Sequence, residues 1–206
     1  QASAATSAQE PLQTRPEHEW ELTMAIPREV RDTPGNDLCG ALIWCLGHLG
    51  TLVVLAFFSA GGSLDMGSVA LTVKVTIGGV AMRVATQVFW QLWPGLRTWR
   101  MRPDTATSVV CFHAFMDSII TYFAANDATD ELSNWHMGGI VLVVSGIILE
   151  RVPELQRLAW KADPRNAGKC YKQGLFALAV HINYTGWSIW RLGLFCLAQR
   201  WYLPAL

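Results

Sequence analysis

From residue 38 onward the chain alternates long apolar runs with short polar stretches. LCGALIWCLGHLGTLVVLAFFSA (38–60), GSVALTVKVTIGGVAMRVATQVFWQLW (67–93) and TATSVVCFHAFMDSIITYFAA (105–125) reach the roughly 20 residues that a helix needs to cross a bilayer. NWHMGGIVLVVSGIIL (134–149) is shorter and carries small residues at Gly138, Gly139 and Gly146. A fifth run, GLFALAVHINYTGWSIWRLGLFCLA (174–198), is interrupted by His181, Asn183 and Tyr184. The pattern predicts an all-α, polytopic membrane helix bundle of about five transmembrane helices over 38–206, preceded by a polar, largely irregular arm over 1–37.

The arm holds seven acids against three arginines and is broken by Pro11, Pro16, Pro27 and Pro34. A short helix is expected near EHEWELTM. Trp20, Leu22, Met24 and Ile26 leave two readings open, a solvated linker or a partner-binding arm. The chain begins at Gln1, so a processed or partial product is expected and any organelle presequence has gone.

Composition supports the membrane reading. Hydrophobic residues make up 51% and charged residues 16%, mean hydropathy is +0.25, and ten tryptophans suit bilayer interfaces, where an apolar ring with one N–H prefers to sit. Formal charge is zero and no basic tract is interleaved with aromatics, which argues against nucleic-acid binding. Five cysteines are scattered singly without metal-ligand spacing, so neither a disulfide framework nor a metal site is expected.

Loop charges set a direction. The stretch RTWRMRP after the second run has three arginines, and 150–172 has six lysines or arginines, whereas GGSLDMG and NDATDELSN have none. Lysine and arginine collect on the untranslocated side, so the basic loops and the arm are expected on the inner face. DATDELS lacks the glycine and terminal glutamate of a calcium loop. The sequon Asn183-Tyr184-Thr185 falls inside a predicted span, out of reach of glycosylation.

Charges within the runs need partners, because a mid-bilayer charge costs about 2.5–3.5 kcal/mol on insertion scales. Lys74 and Arg83 do not share a helix face well. Arg83 pairs with Asp117 if the second and third runs are adjacent, and His113 lies four residues before Asp117, within hydrogen-bonding reach on one face. Both a structural clasp and a ligand or proton site fit this set.

Residues 134–193 carry a denser pattern. Glu150, Gln156, Lys161, Asp163, Pro164, Asn166, Gly168, Lys169, Gly174, Leu175, His181, Asn183, Tyr184 and Gly186 stand at spacings that resemble the carboxy-terminal core of the steroid 5-α-reductase-like membrane family, in particular its bacterial and algal branch. The chain is more distantly similar to isoprenylcysteine methyltransferases. The resemblance implies a reductase passing hydride from NADPH to a lipid or steroid carbon–carbon double bond. It implies Gln156, Lys161, Asn166, Lys169 and Asn183 as cofactor-binding residues, with His181 and Tyr184 as catalytic ones.

Departures from that pattern change the expectation. The family's arginine before the histidine is Val180 here, the proline after it is Ile182, and the closing glutamate is Trp187. The first loss removes a bidentate phosphate partner. Without the proline, the segment is expected to run on as ordinary helix. The family also continues through a further membrane segment to a polar tail, whereas this sequence ends at WYLPAL, so either a fragment or a dispensed closing element is expected. The resulting expectation is a reductase-derived, non-catalytic accessory or structural subunit of a bioenergetic complex in a mitochondrial or plastid inner membrane, contacting lipids and other subunits, with NADPH binding lost. The alternatives are an active NADPH-dependent double-bond reductase and a lipid methyltransferase.

Overall fold

The computed structural model describes residues 37–92 and 102–199. The expected helix near EHEWELTM, and the arm around it, lie outside the described residues. Within them the chain is all helical: α1 (Asp37–Ser59), α2 (Leu71–Leu92), α3 (Pro103–Asn126), α4 (Asn134–Lys161) and α5 (Ile182–Leu197). Short 3-10 turns cover Met66–Ser68, Pro164–Asn166 and Gly174–Ala177. Two of the helices, over Leu38–Ser59 and Pro103–Asn126, are long and apolar enough to cross a membrane.

The helices alternate in direction. Arg83 faces Asp117, and Thr72 exchanges backbone and side-chain hydrogen bonds of 3.1 Å with Thr129, which sets α2 antiparallel to α3. Gly47 meets Val110 and His48 meets His113, so α1 and α3 run parallel. One end of the bundle therefore gathers the 60–70 and 127–133 connections, where Asp130 Oδ1 accepts from Leu71 N at 2.9 Å and caps α2 across the loops. The other end gathers the basic 150–172 stretch, and there Arg151 stacks on Trp90 at 5.0 Å.

α4 and α5 make the closest pair. Gly139 faces Gly193 and Gly146 faces Gly186, in an antiparallel register repeated every seven residues. A Cβ at Gly139 would lie 2.9 Å from the Gly193 oxygen, and one at Gly186 would lie 2.6 Å from the Gly146 oxygen. Only hydrogen fits at such separations, and small residues allow this close approach of helix backbones. Gly138, expected in the same stripe, faces open space instead.

Two boundaries differ from expectation. α4 continues twelve residues beyond Leu149, through a buried Pro153, to Lys161. Hydropathy falls at Glu150, but the amphipathic ERVPELQRLAWK keeps helical spacing outside the apolar stretch. The fifth run behaves in the opposite way: 174–181 is a 3-10 turn and irregular chain, and α5 starts only at Ile182, with His181 at its N-cap (φ −124°, ψ 45°). Replacing the family's proline by Ile182 does not let the helix run on. The break is held by Gly174 at φ +56°, where a Cβ would come 2.8 Å from the Tyr171 hydroxyl, and by Gln156 Oε1, which accepts from Leu175 N at 3.1 Å.

Candidate functional site

Buried chemistry concentrates where α1, α2, α3 and α5 meet. Arg83 is 1% exposed and Asp117 3%. The guanidinium donates through Nη2 to Asp117 Oδ2 and through Nη1 to Gln87 Oε1 at 2.7 Å, while its Nε is buried without a partner. The pair expected from the sequence is thus formed, and Gln87 is added to it. A guanidinium so enclosed needs such partners, because uncompensated burial of a charge costs several kcal/mol.

His113 does not bond Asp117 in this arrangement. Its Nδ1 lies 2.9 Å from His48 Nε2, and His48 Nδ1 lies 2.8 Å from the Trp44 carbonyl oxygen. A carbonyl only accepts, so His48 carries a proton on Nδ1, and in its neutral form it accepts at Nε2 from His113 Nδ1–H. His48 was invisible as a partner in the sequence because 65 residues separate the two rings. Lys74 is satisfied at the helix start, where Nζ donates to the Gly67 oxygen at 3.1 Å.

Between α3 and α5 lies a cavity of about 20 Å³. It is lined by Arg83, His113, Asp117, Trp190 and Arg191 among apolar neighbours. Trp190 donates through Nε1 to Glu150 Oε2 at 2.7 Å, which ties the end of the α4 apolar stretch to α5. Sequence reasoning missed Arg191. Its position four residues after Trp187 in an apolar run was the available signal.

The residues implied by the resemblance lie at the basic end, in several small groups. Gln156 accepts from Leu175 N, as above. Asn166 Nδ2 donates to the Trp160 oxygen at 2.8 Å and closes the end of α4. Tyr171 packs on Trp160 and Phe176 with ring centroids 5.4 and 5.8 Å apart. Lys161 and Lys169 are exposed, and His181 and Tyr184 stand together at the start of α5, rings 5.5 Å apart and both exposed, with Asn183 half-buried beside them. Asp163 accepts from Arg165 Nε at 3.0 Å and from Arg165 N at 2.9 Å, contacts that hold its carboxyl below its ordinary range. At the position of the missing carboxylate, Trp187 lies under the Arg191 guanidinium at 3.9 Å.

Residues 106–205 match the family described as "Protein of unknown function (DUF1295)", which is related to steroid 5-α-reductase-like membrane proteins. The match takes in α4, α5, the motif-bearing connection between them and most of α3. The chain is also 45% identical over 56 residues to a protein of Ustilaginoidea virens named "Probable O-methyltransferase ustE". That similarity covers 27% of this chain, and the chain spans about a fifth of the relative's length. No solved structure matches the chain.

Proposed function

We propose that this protein is a five-span integral membrane subunit of steroid 5-α-reductase-like ancestry, with a structural or accessory role in a membrane-embedded complex rather than a catalytic one. The membrane part of this reading is supported by an inverted distribution of polarity. Arg83, Asp117, His48, His113 and Gln87 are buried, while Leu46, Val53, Phe58, Phe115, Tyr122 and Val141 are each more than half exposed. Water would favour the opposite arrangement, and lipid favours this one. With alternating helices, the basic end falls on one side, as an inner-facing orientation requires.

The accessory part is carried by one observation: the motif's directional side chains hold this chain's own backbone. Gln156 is engaged by Leu175 N and Asn166 by the Trp160 oxygen. Groups used in this way close the end of α4 and tie it to the Gly174–Ala177 turn that precedes α5. A mitochondrial or plastid inner membrane is the proposed setting, and neighbouring subunits are the proposed partners.

A second reading is favoured by the methyltransferase-named relative and by the exposed lysines. In it the basic end receives a nucleotide-bearing cofactor, either NADPH for double-bond reduction or S-adenosylmethionine for methyl transfer, with His181 and Tyr184 at the reacting end. Native gel electrophoresis of mildly solubilised source membranes, followed by cross-linking, separates the two. The accessory reading predicts that the chain migrates in an assembly of several different polypeptides and cross-links to at least one of them. Migration as a free monomer, with no cross-link to another polypeptide, would overturn it.

A further inference from the structure

Arg191 is the most unusual charge in the molecule. It is the tenth residue of α5, about 14 Å along the axis from the helix start, which on the membrane-spanning reading puts it deep in the bilayer. Among the described residues it makes no hydrogen bond or ion pair. Its guanidinium is surrounded by rings instead, with centroids at 3.9 Å (Trp187), 5.0 Å (Phe112) and 5.7 Å (Trp190). Rings stabilise a cation from its face but leave its N–H donors open. Arg83, next to it in the lining of the same cavity, has a second open donor, the buried Nε.

The charges around this cavity do not cancel. Arg83 and Arg191 bring two positive charges and Asp117 one negative, while Glu150, which accepts from the lining Trp190, is itself ion-paired with Arg151 at 3.3 Å. One positive charge is left over in a low-dielectric setting, where an unpaired ion is most costly. The space, about 20 Å³, is enough for one oxygen-sized group, and its lining includes the half-buried apolar Met116 of α3 and Phe195 of α5. The complement of such a site is one negative oxygen group attached to an apolar chain.

We propose that the cleft between α3 and α5 binds the carboxylate of a single-chain lipid. One oxygen enters the cavity toward Arg83 Nε, the other takes the open N–H donors of Arg191, and the acyl chain leaves between Met116 and Phe195 into the bilayer. The aromatic rings around Arg191 restrict the movement of its guanidinium and so keep its N–H donors at the cavity. This assignment rests on the membrane reading but is independent of whether the basic end is catalytic.

The test is equilibrium binding of radiolabelled oleate to the full chain in lipid nanodiscs, with oleyl alcohol and acetate as competitors. The expected result is saturable binding at one site per chain, displaced poorly by oleyl alcohol and by acetate. Arg191→Gln is expected to weaken binding about 10- to 100-fold, the range for loss of a charge-assisted hydrogen bond. Equal displacement by oleyl alcohol would show a site for the chain alone, and equal displacement by acetate a site for free small acids. Either result overturns the proposal, as does full retention of affinity in Arg191→Gln. The competitor series uses the unaltered protein and decides the matter even if the variant does not fold. Extraction of the protein from membranes by alkaline carbonate would separately defeat the membrane reading.

Discussion

The two halves of the bundle achieve specific contact by different means. α1, α2 and α3 are joined by polar side chains reaching across gaps, Arg83 to Asp117 and His48 to His113. α4 and α5 are joined by the absence of side chains, with Gly139, Gly146, Gly186 and Gly193 bringing the two backbones into contact. Apolar packing alone discriminates poorly between helices in lipid, since lipid tails are equally apolar. Directional hydrogen bonds and close backbone fit are the two remaining sources of selectivity; the first dominates among α1, α2 and α3, and the second between α4 and α5, where the Trp190–Glu150 hydrogen bond is added to it.

The halves should therefore fail differently. Asp117→Ala leaves the Arg83 charge buried without its carboxylate, and a loss of about 3–5 kcal/mol is expected in denaturant unfolding of the micelle-bound protein. The paired replacement Arg83→Met with Asp117→Leu should recover most of that loss, because it removes both charges. Gly186→Leu pushes atoms into the α4 backbone, which cannot yield as a flexible side chain can, and should cost about 3 kcal/mol. Gly138→Leu, facing open space, should be nearly neutral in the same assay. Retained stability in Gly186→Leu would show that the α4–α5 contact is not the fixed seam described above.

Smaller effects belong to the connection between α4 and α5. Gly174→Ala forces a Cβ onto a left-handed residue beside Gln156 and Tyr171, and a loss of about 1–3 kcal/mol is expected. The smallest concerns Asp163. Its folded-state carboxyl titrates below its usual value of 3.8, so its contact with Arg165 contributes fully above that value and is lost as pH falls through the lowered one. Hydrogen exchange at the Arg165 amide should accelerate only below that range, and Asp163→Asn should abolish the pH response.

The helices α1, α2 and α3 were legible because each is an apolar run bounded by polar residues, and the observed ends lie within a few positions of those expected. The Arg83–Asp117 pair was legible because two opposite charges in neighbouring apolar runs have few other partners. Hydropathy could not place the end of α4 or the start of α5. It reports affinity for lipid and not backbone conformation, so an amphipathic helical extension reads as loop and an apolar turn at 174–181 reads as helix. The motif residues were legible as a set, but their engagement was not. That Gln156 holds Leu175 N depends on the chain reversing between them, which no local pattern encodes. Arg191 was overlooked because a single charge in an apolar run gives no partner to search for.

On the accessory reading, the motif at the basic end serves structure rather than cofactor binding. Calorimetric titration of NADPH, and separately of S-adenosylmethionine, into the full chain in lipid nanodiscs tests it most directly. No saturable heat is expected with either compound up to about millimolar concentration, where affinity falls to roughly 4 kcal/mol. Saturable binding in the micromolar range, lost in His181→Ala, would contradict it and establish the basic end as a working cofactor site.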